Sequence, residues 1–294
     1  MEFIEVAIPV LVFFLMFIIG ASLENRSLKE ISAQKKQILI LTLGQTLLLP
    51  LSAWIIIKTI QPPPLVAGGM LLVSFCPGGA VSNIYSFLAK ANVALSVTLT
   101  ALNGLVSVFL LPVAVLTIFP TLLGIELKIE NLMVKQSMQL IFLLFCPVVL
   151  GMSLRYYQAT LIQSLMPWFE KIGGLGLLLL LFSILIKFQQ KIMVQLSELV
   201  TLALIFTLVS VLIAYGLGKI LQLRQSDEAV AVIEFPVRNL ALAALIAVNI
   251  FKDSDYLLFG AVFFVIQTPV MLTITTWYRV KFNNDIDKQV LNLT

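Results

Sequence analysis

Two short segments of the chain, 76–83 and 234–239, each place a proline among polar side chains inside otherwise apolar sequence. Proline lacks a backbone N–H and clashes with the preceding helical turn, so each segment should interrupt a helix. The residues expected to form these two breaks are Pro77, Gly78, Gly79 and Pro236. Carbonyl groups freed at such breaks can bind a cation, and the N-termini of the restarted half-helices attract anions. The two segments therefore favour the binding of an ion together with an anionic solute.

Glu234 and Arg238 are the charged residues that fall well inside the apolar runs. Each should cost roughly 2.5–3.5 kcal/mol at the centre of a membrane helix, so their presence needs a reason. Because they are four residues apart, they would share one helix face and could pair. One interpretation is an ion pair that only fixes the helix. In the other, Glu234 supplies negative charge to a coupling cation or proton, and Arg238 partly neutralises it or meets an anionic substrate.

Uncharged polar residues accompany these segments. Ser82 and Asn83 follow the first break, where they are expected to cap a restarted half-helix. Ser96 and Thr100 lie four residues apart on the next apolar run, so they would share a helix face directed at that break. Serine and threonine in membrane helices often bond only to their own backbone, but this combination with Glu234 favours a common site. Further isolated polar groups are Gln45, Asn239, Gln267 and Thr268.

Membrane helices must position these groups. The chain is 60% hydrophobic and 12% charged, and its mean hydropathy is +1.05, whereas soluble domains are about 45–50% apolar and about 25% charged. The runs are continuously apolar rather than alternating, which favours helices over a β-barrel. We therefore predict an all-α polytopic membrane protein that folds as a single transmembrane domain over residues 1–294.

About nine runs reach the length of roughly 20 residues that a helix needs to cross a bilayer. The predicted spans are 4–23, 37–60, 65–89, 93–116, 136–154, 167–188, 200–221, 229–251 and 256–278. The first four and the last four share one order, in which the third span of each set is the broken one. The remaining middle span would then link two halves of opposite topology. The sequence thus predicts an inverted repeat with two broken, crossing helices.

Lysine and arginine residues orient the predicted bundle, because cytoplasmic loops carry an excess of them. With the N-terminus outside, the inner side would hold Arg26, Lys29, Lys35, Lys36, Lys90, Arg155, Lys171, Lys219, Arg224, Arg279, Lys281 and Lys288. The outer side would hold only Lys58, Lys128, Lys135, Lys187, Lys191 and Lys252. This asymmetry predicts an external N-terminus and a cytoplasmic C-terminus. Because Glu2 and Glu5 stand where a signal peptide would be basic, the first run is predicted to be a retained span.

These motifs resemble those of the bile acid:sodium symporter family, in particular its bacterial members. The resemblance is carried by the string CPGG..SN over 76–83, by the pattern LA..N.ALS…T over 88–100, and by 234–239, which follows the family's E-x-x-x-Q-N pattern. It covers nearly the whole chain. It implies alternating access between a panel domain (about 4–23 and 136–188) and a core domain (about 37–116 and 200–278).

The resemblance also implies two sodium sites. The first would use the residues matching the family's ligands, which are Ser82, Asn83, Ser96, Thr100 and Glu234. The second would use Gln45, Glu234, the backbone around Phe235 and Val237, and a glutamine. The predicted substrate-binding residues are Ala80, Asn239, Gln267 and Thr268. The coupling ions would be one or two Na⁺, and no catalytic metal is expected.

Arg238 departs from the family pattern, since it stands where the glutamine of the second sodium site is expected. A guanidinium carries only donors and cannot bind a cation as a ligand. At about 4 Å it would repel Na⁺ by roughly 4 kcal/mol at an effective dielectric constant of 20. The second sodium site is therefore predicted to be altered or replaced, leaving at most one coupled sodium.

The leading functional hypothesis is secondary active, sodium-coupled symport of an organic anion, either bile acid-like or a small carboxylate such as pantoate or a keto acid. The expected location is a bacterial inner membrane, with the lipid bilayer and the solute as partners and no nucleic acid or obligate protein partner. The alternatives are a proton-coupled or sodium-independent transporter or exchanger, an arsenite-type exporter using Cys76, and a non-transporting receptor. An enzyme is not expected, because the chain has no histidine and no HExxH, GxSxG or GxxxxGK[ST] motif.

Overall fold

The computed structural model describes residues 2–23, 34–119, 121 and 131–291. Over these ranges the chain is helical apart from short connections and one isolated β-bridge. In chain order the helices are α1 (Glu2–Ala21), α2 (Lys35–Ile60), α3 (Pro64–Phe75), α4 (Val81–Leu88), α5 (Val93–Val113), α6 (Asn131–Tyr157), α7 (Ala159–Lys187), α8 (Gln189–Val194), α9 (Leu196–Ile220), α10 (Gln225–Glu234), α11 (Leu240–Asn249) and α12 (Leu257–Leu291).

Six helical segments within the described residues are long and apolar enough to cross a membrane. They are Lys35–Ile60, Val93–Val113, Met138–Tyr157, Ala159–Lys187, Leu196–Ile220 and Ser254–Asn283. Shorter apolar helices cover Ala7–Ala21, Pro64–Phe75 and Leu240–Asn249. The prediction of a helical, multi-pass membrane protein is confirmed, whereas the count of nine spans and the orientation stay predictions. The basic residues Arg26, Lys29 and Lys128, which entered that orientation, lie outside the described residues.

Helix α1 packs most extensively along α6 and also contacts α7. Its contact with α6 is close because a glycine on each helix faces the other backbone: a Cβ at Gly20 would meet the carbonyl of Val148, and one at Gly151 would meet the carbonyl of Phe17. Small residues let membrane helices approach in this way. Helix α9 packs against α10 and α12. The short helices α3, α4, α10 and α11 all contact α12, and α4 and α10 also contact α5. The division into panel and core stays a prediction.

The two predicted breaks lie against each other. Helix α3 ends at Phe75 and α4 begins at Val81, while α10 ends at Glu234 and α11 begins at Leu240. The intervening segments run antiparallel: Gly79 N donates to Val237 O at 3.0 Å, and Asn239 N donates to Pro77 O at 2.9 Å. Backbone groups inside a membrane must find partners within the protein. Each interrupted helix therefore satisfies part of the other's exposed backbone. We call this pair of segments, 76–80 and 235–239, the crossing.

Gly79 is required for the close approach at the crossing, because a Cβ there would lie 2.9 Å from the carbonyl oxygen of Arg238. That neighbour is backbone and cannot move without breaking the paired hydrogen bonds. We expect Gly79→Ala to destabilise the fold by about 1–3 kcal/mol, the usual cost of overpacking. Thermal unfolding in detergent measures the effect, and Gly216→Ala is the matched control, since a Cβ at Gly216 meets no heavy atom within 4 Å. Equal melting temperatures for the two variants would contradict this account.

Candidate ion and solute site

Glu234 ends α10 beside the crossing, and its side chain is fully buried at 0% exposure. One carboxylate oxygen, Oε1, accepts hydrogen bonds from Thr100 Oγ1 at 2.6 Å, Ser82 Oγ at 2.8 Å and Ser96 Oγ at 3.0 Å. The first turn of α4 carries Ser82, and α5 carries the other two donors. The four-residue spacing along α5 directs both hydroxyls to one point. A charged carboxylate is thus held inside the protein by three hydroxyl groups.

Asn83 extends this cluster. Its Oδ1 accepts from Ser96 Oγ at 2.8 Å and from Thr100 Oγ1 at 3.4 Å. A hydroxyl has one proton, so neither Ser96 nor Thr100 can donate to Asn83 and Glu234 at once. The cluster therefore has more acceptors than protons, which leaves oxygen lone pairs available to a cation. Carboxylate, amide and hydroxyl oxygens are ligands that suit hard cations.

Ser86 also belongs to the cluster, although the sequence analysis did not identify it. Its Oγ donates to Ser96 Oγ at 3.1 Å, and its side chain is buried. It lies four residues after Ser82 on α4, and that helical spacing was the signal that could have found it. Ser82 and Asn83 do not cap α4 as expected: the helix begins at Val81, its N-cap position is Ala80, and no side chain caps it. Ser82 Oγ instead lies 2.8 Å from Gly79 O, which is an alternative to Glu234 as acceptor for its single proton.

The second carboxylate oxygen of Glu234, Oε2, is buried and has no hydrogen-bond partner among the described residues. It points at the backbone of Gly78, where a Cβ would lie only 2.5 Å away. A buried polar atom without a hydrogen-bond partner destabilises the folded protein, and it does so more when the group is charged than when it is neutral. The absence of a side chain at Gly78 leaves room for this oxygen, which has no partner in the described structure and could bind a cation.

Arg238 does not pair with Glu234, although their four-residue spacing allowed an ion pair as one interpretation. Among the described residues, no ion pair within 4.0 Å joins them. The physical reason is that α10 ends at Glu234. The rule that residues four apart share a face holds only within a continuous helix, and Arg238 lies beyond the helix end, in the crossing.

The guanidinium of Arg238 instead bonds to three neutral oxygens. Its Nη1 donates to Gln45 Oε1 at 2.9 Å and to Phe235 O at 3.4 Å, and its Nη2 donates to the carbonyl of Cys76. Two of these oxygens, those of Gln45 and Phe235, belong to the set predicted for a second sodium. The carbonyl of Val237, a further member, accepts the crossing hydrogen bond from Gly79. A permanently charged side-chain cation thus lies among oxygens that could otherwise bind a free one.

Gln45 reaches Arg238 from a widened turn of α2. The helix becomes a π-helix over Gly44–Leu48 and returns to α-helix at Leu49. Pro50 cannot donate a hydrogen bond to the preceding turn, so the regular pattern is interrupted there. Single π turns are frequent at functional sites because they redirect one side chain. The buried Gln45 Nε2 has no partner within the described ranges.

A narrow cleft separates the crossing from α1 and α7. Three of the four predicted substrate-binding residues line it, namely Ala80, Asn239 and Gln267. Thr268 does not line it, and its hydroxyl donates to Phe264 O of its own helix at 2.7 Å. The cavity volume of the cleft is only about 40 Å³. Typical small-molecule sites are about 300–1,000 Å³, so the cleft would have to widen to hold a solute.

The crossing side of the cleft presents hydrogen-bond donors. The backbone N–H groups of Ala80 and Val81, at the start of α4, have no acceptor in the described structure. Gln267 is 1% exposed, and its Nε2 has no partner among the residues described. Asn239 caps α11 through its Oδ1, which accepts from Leu242 N at 3.1 Å. The amide group of Asn239 is thereby directed away from the cap. Donors at a helix N-terminus form a ready site for an anion.

The chain is similar to known membrane transporters. The sodium bile acid symporter family matches residues 9–197. The "Probable sodium/metabolite cotransporter BASS1, chloroplastic" of Oryza sativa subsp. japonica is 34% identical over 154 residues, which are 52% of this chain and 36% of that protein. The "Uncharacterized sodium-dependent transporter YocS" of Bacillus subtilis is 34% identical over 102 residues, 35% of this chain and 32% of that protein.

A mammalian relative is also similar. The "Sodium-dependent organic anion transporter" of Bos taurus is 33% identical over 98 residues, which are 33% of this chain and 26% of that protein. The matched segments thus cover about a third of the length of the relatives named here. The family match nevertheless spans more than half of this chain and includes the first broken helix with its serine and asparagine. The chain therefore belongs to the sodium bile acid symporter family, whose members are transporters that span the membrane.

Proposed function

We propose that the protein is a secondary active transporter that couples the movement of an organic anion to one sodium ion. The observation that carries this proposal is that the crossing lies next to the buried carboxylate of Glu234 and also lines the cleft. Ser82, Ser96 and Thr100 surround one oxygen of that buried carboxylate, and the other oxygen is free. Sodium would bind in this cluster, with Asn83 as a further ligand. The names of sodium-dependent relatives support the choice of ion.

The anion would bind on the cleft side of the crossing. Its carboxylate or sulfate would accept hydrogen bonds from the N–H groups of Ala80 and Val81 and from the amides of Asn239 and Gln267. The carbonyl oxygen of Gly79 can accept a hydrogen bond from Ser82 Oγ. Gly79 directly precedes Ala80 and Val81, which carry the backbone donors. Sodium would hold α4 and α5 against Glu234. With α4 held in place, the backbone N–H groups at its start would be fixed in position to bind the anion. Binding of each solute would therefore strengthen binding of the other.

Transport would follow from movement of the panel, α1 with α6 and α7, against the core that holds the crossing. In this proposal Arg238 takes the place of a second sodium ion, because its guanidinium already bonds to Gln45 and to two carbonyls. The membrane would be a bacterial inner membrane, with the N-terminus outside and the C-terminus in the cytoplasm. A small carboxylate, such as pantoate or a keto acid, is the favoured substrate class over a bile acid.

Uptake by purified protein in liposomes tests the proposal. Labelled pantoate, 2-oxoisovalerate and taurocholate are supplied under an inward sodium gradient, under a potassium gradient of equal size, and under a pH gradient without sodium. We expect accumulation of a small carboxylate only with sodium. Accumulation driven by the pH gradient alone would favour proton coupling through Glu234. Sodium-dependent binding without accumulation would favour a receptor, and loss of uptake in Cys76→Ser would favour thiol chemistry.

Gly174 offers a direct test of the cleft. It lies on α7 and lines the cleft, and a Cβ there meets no heavy atom within 4 Å. Gly174→Leu should place a side chain in this open space, weaken anion binding at least about tenfold, and leave sodium binding unchanged. Loss of a helical glycine should not destabilise α7, because leucine favours helix by roughly 0.5–1 kcal/mol over glycine. Thermal shifts with sodium alone and with sodium plus the anion measure the two effects separately.

Gly216→Leu is the matched control for that variant. Gly216 lies in α9, a Cβ there also meets nothing within 4 Å, and the residue does not line the cleft. It should leave both sodium and anion binding unchanged. If Gly174→Leu bound the anion like the unchanged protein, the substrate site would have to lie elsewhere.

A further inference from the structure

Glu170 is a carboxylate that lines the cleft, and the proposed sodium cluster does not use it. It lies on α7 and lines the cleft on the side opposite the crossing. It is an exposed residue, and within the described residues it makes no hydrogen bond or ion pair. The adjacent Lys171 does not neutralise it, since the ammonium of that lysine lies over the ring of Trp168 at 5.2 Å from its centroid. Glu170 thus adds an unpaired negative charge to a cleft proposed to bind anions.

The space beside Glu170 is open. Gly174 follows it by one helical turn and so lies on the same face of α7, where an added Cβ would meet no neighbour within 4 Å. The walls of the cleft around it are mainly apolar, including Leu15, Ile18 and Leu177. Near such walls the exposed carboxylate is only partly screened by solvent, so it interacts with a neighbouring charge more strongly than it would in bulk water. A solute that fills this part of the cleft would lie beside the charge of Glu170.

The opposite wall has the reverse character. Ala80 and Val81 supply unpaired backbone donors there, and the buried Gln267 contributes an unpartnered amide nitrogen. An anionic group is therefore favoured at the crossing and disfavoured at Glu170. A simple hydrocarbon acid would leave Glu170 without a partner, and a dicarboxylate would place two negative charges together.

We infer that Glu170 is a specificity-determining residue, and that the substrate carries its acidic group at one end and a hydrogen-bond donor at the other. An ammonium group would suit the second position best, because it neutralises the carboxylate, and a hydroxyl would be second best. This inference rests on the proposed function, since it takes the crossing as the place where the anionic group binds. It narrows the substrate class from organic anions in general to amino- or hydroxy-carboxylates.

Four acids of equal chain length test this inference: 5-aminopentanoate, 5-hydroxypentanoate, pentanoate and glutarate, with the same series at two further chain lengths. Binding to the full-length protein in detergent with sodium is measured by thermal shift and calorimetry. The amino and hydroxy acids should bind about tenfold or more tightly than the methyl-ended acid, as expected for a hydrogen bond to a charged group. The diacid should bind most weakly.

Glu170→Gln should remove this order of affinities, chiefly by weakening the binding of the amino acid and strengthening the binding of the diacid. Glu170→Asp keeps the charge and should keep the order, with the optimum moved towards the longer chain. Glu198→Gln is the matched control, because Glu198 lies in the first turn of α9 and does not line the cleft. Sodium-induced stabilisation should be the same in all three variants, which shows that they are folded.

The outcomes separate this inference from the function on which it rests. If the acids bind in sodium but Glu170→Gln keeps the order of the unchanged protein, the role of Glu170 is wrong and the anion site stands. A change of order in Glu198→Gln as well would also overturn that role. If no acid binds at any chain length, both the anion site and the specificity assigned to Glu170 are overturned.

Discussion

Glu234→Gln should abolish sodium-dependent stabilisation and sodium-driven uptake while the protein remains folded. Glutamine has nearly the same size, and its amide oxygen can still accept from the hydroxyls of Ser82, Ser96 and Thr100. What disappears is the formal negative charge. At about 4 Å and an effective dielectric constant of 20, one charge pair is worth roughly 4 kcal/mol. Sodium affinity should therefore fall on the order of a thousandfold. Calorimetric titration with sodium, and thermal unfolding across sodium concentrations, measure it.

Glu228→Gln is the control, because Glu228 is another buried carboxylate of the same helix. It pairs with Lys219 Nζ at 2.8 Å and accepts from Tyr278 OH at 3.2 Å, and it lies seven residues before the crossing. Its replacement should lower the melting temperature without changing the sodium dependence. If both glutamine variants lost sodium binding equally, the effect would reflect general damage to α10. The assignment of sodium to the hydroxyl cluster would then fail.

Arg238→Gln should increase the number of sodium ions coupled to each substrate. The substitution removes the charge that bonds to Gln45, Phe235 and Cys76 and leaves their oxygens facing a neutral amide. Sodium-driven uptake by the unchanged protein should show a Hill coefficient of about one and a reversal potential that fits one sodium per substrate. In the variant, the Hill coefficient and the number of sodium ions per substrate obtained from the reversal potential should both approach two. Activity should depend more steeply on sodium, with little uptake at low concentration.

Two further substitutions at this position separate charge from shape. Arg238→Lys keeps a cation in the crossing and should keep a Hill coefficient of about one. Arg238→Met supplies neither a charge nor a ligand, and it leaves buried carbonyls without donors, so it should destabilise the protein and be partly rescued by high sodium. Two sodium ions per substrate in the protein with Arg238 intact would disprove the replacement of a second sodium by the guanidinium.

The sequence was most informative where local chemistry determines structure. Pro77 and Pro236 cannot continue a helix, and both lie between helices in the structure. The grouping of Ser96 and Thr100 towards Glu234 could be anticipated because both hydroxyls lie within one continuous helix. These residues obey rules that depend only on neighbours along the chain.

Rules of spacing failed where the helix itself ended. The spacing of Glu234 and Arg238 left an ion pair open as one interpretation, but α10 ends at Glu234 and so before Arg238. Whether Arg238 would bond to Glu234 or to Gln45 depended on a π turn in a distant helix, which no local pattern predicts. Glu170 was overlooked for a related reason. It stands beside Lys171 near the start of a predicted span, and only the packing of α7 against the crossing brings it to the cleft.

The backbone pairing at the crossing has a consequence for how the chain is made. Residues 76–80 are synthesised well before 235–239, and both segments lie within apolar sequence that must enter the bilayer. Until the later segment is inserted, Gly79 N and Pro77 O lack the partners that they have in the folded protein. The first half of the nascent chain therefore enters the membrane with an unsatisfied stretch of backbone. Completing that stretch must wait for the later segment, so the ion site cannot form before residues 234–239 have left the ribosome.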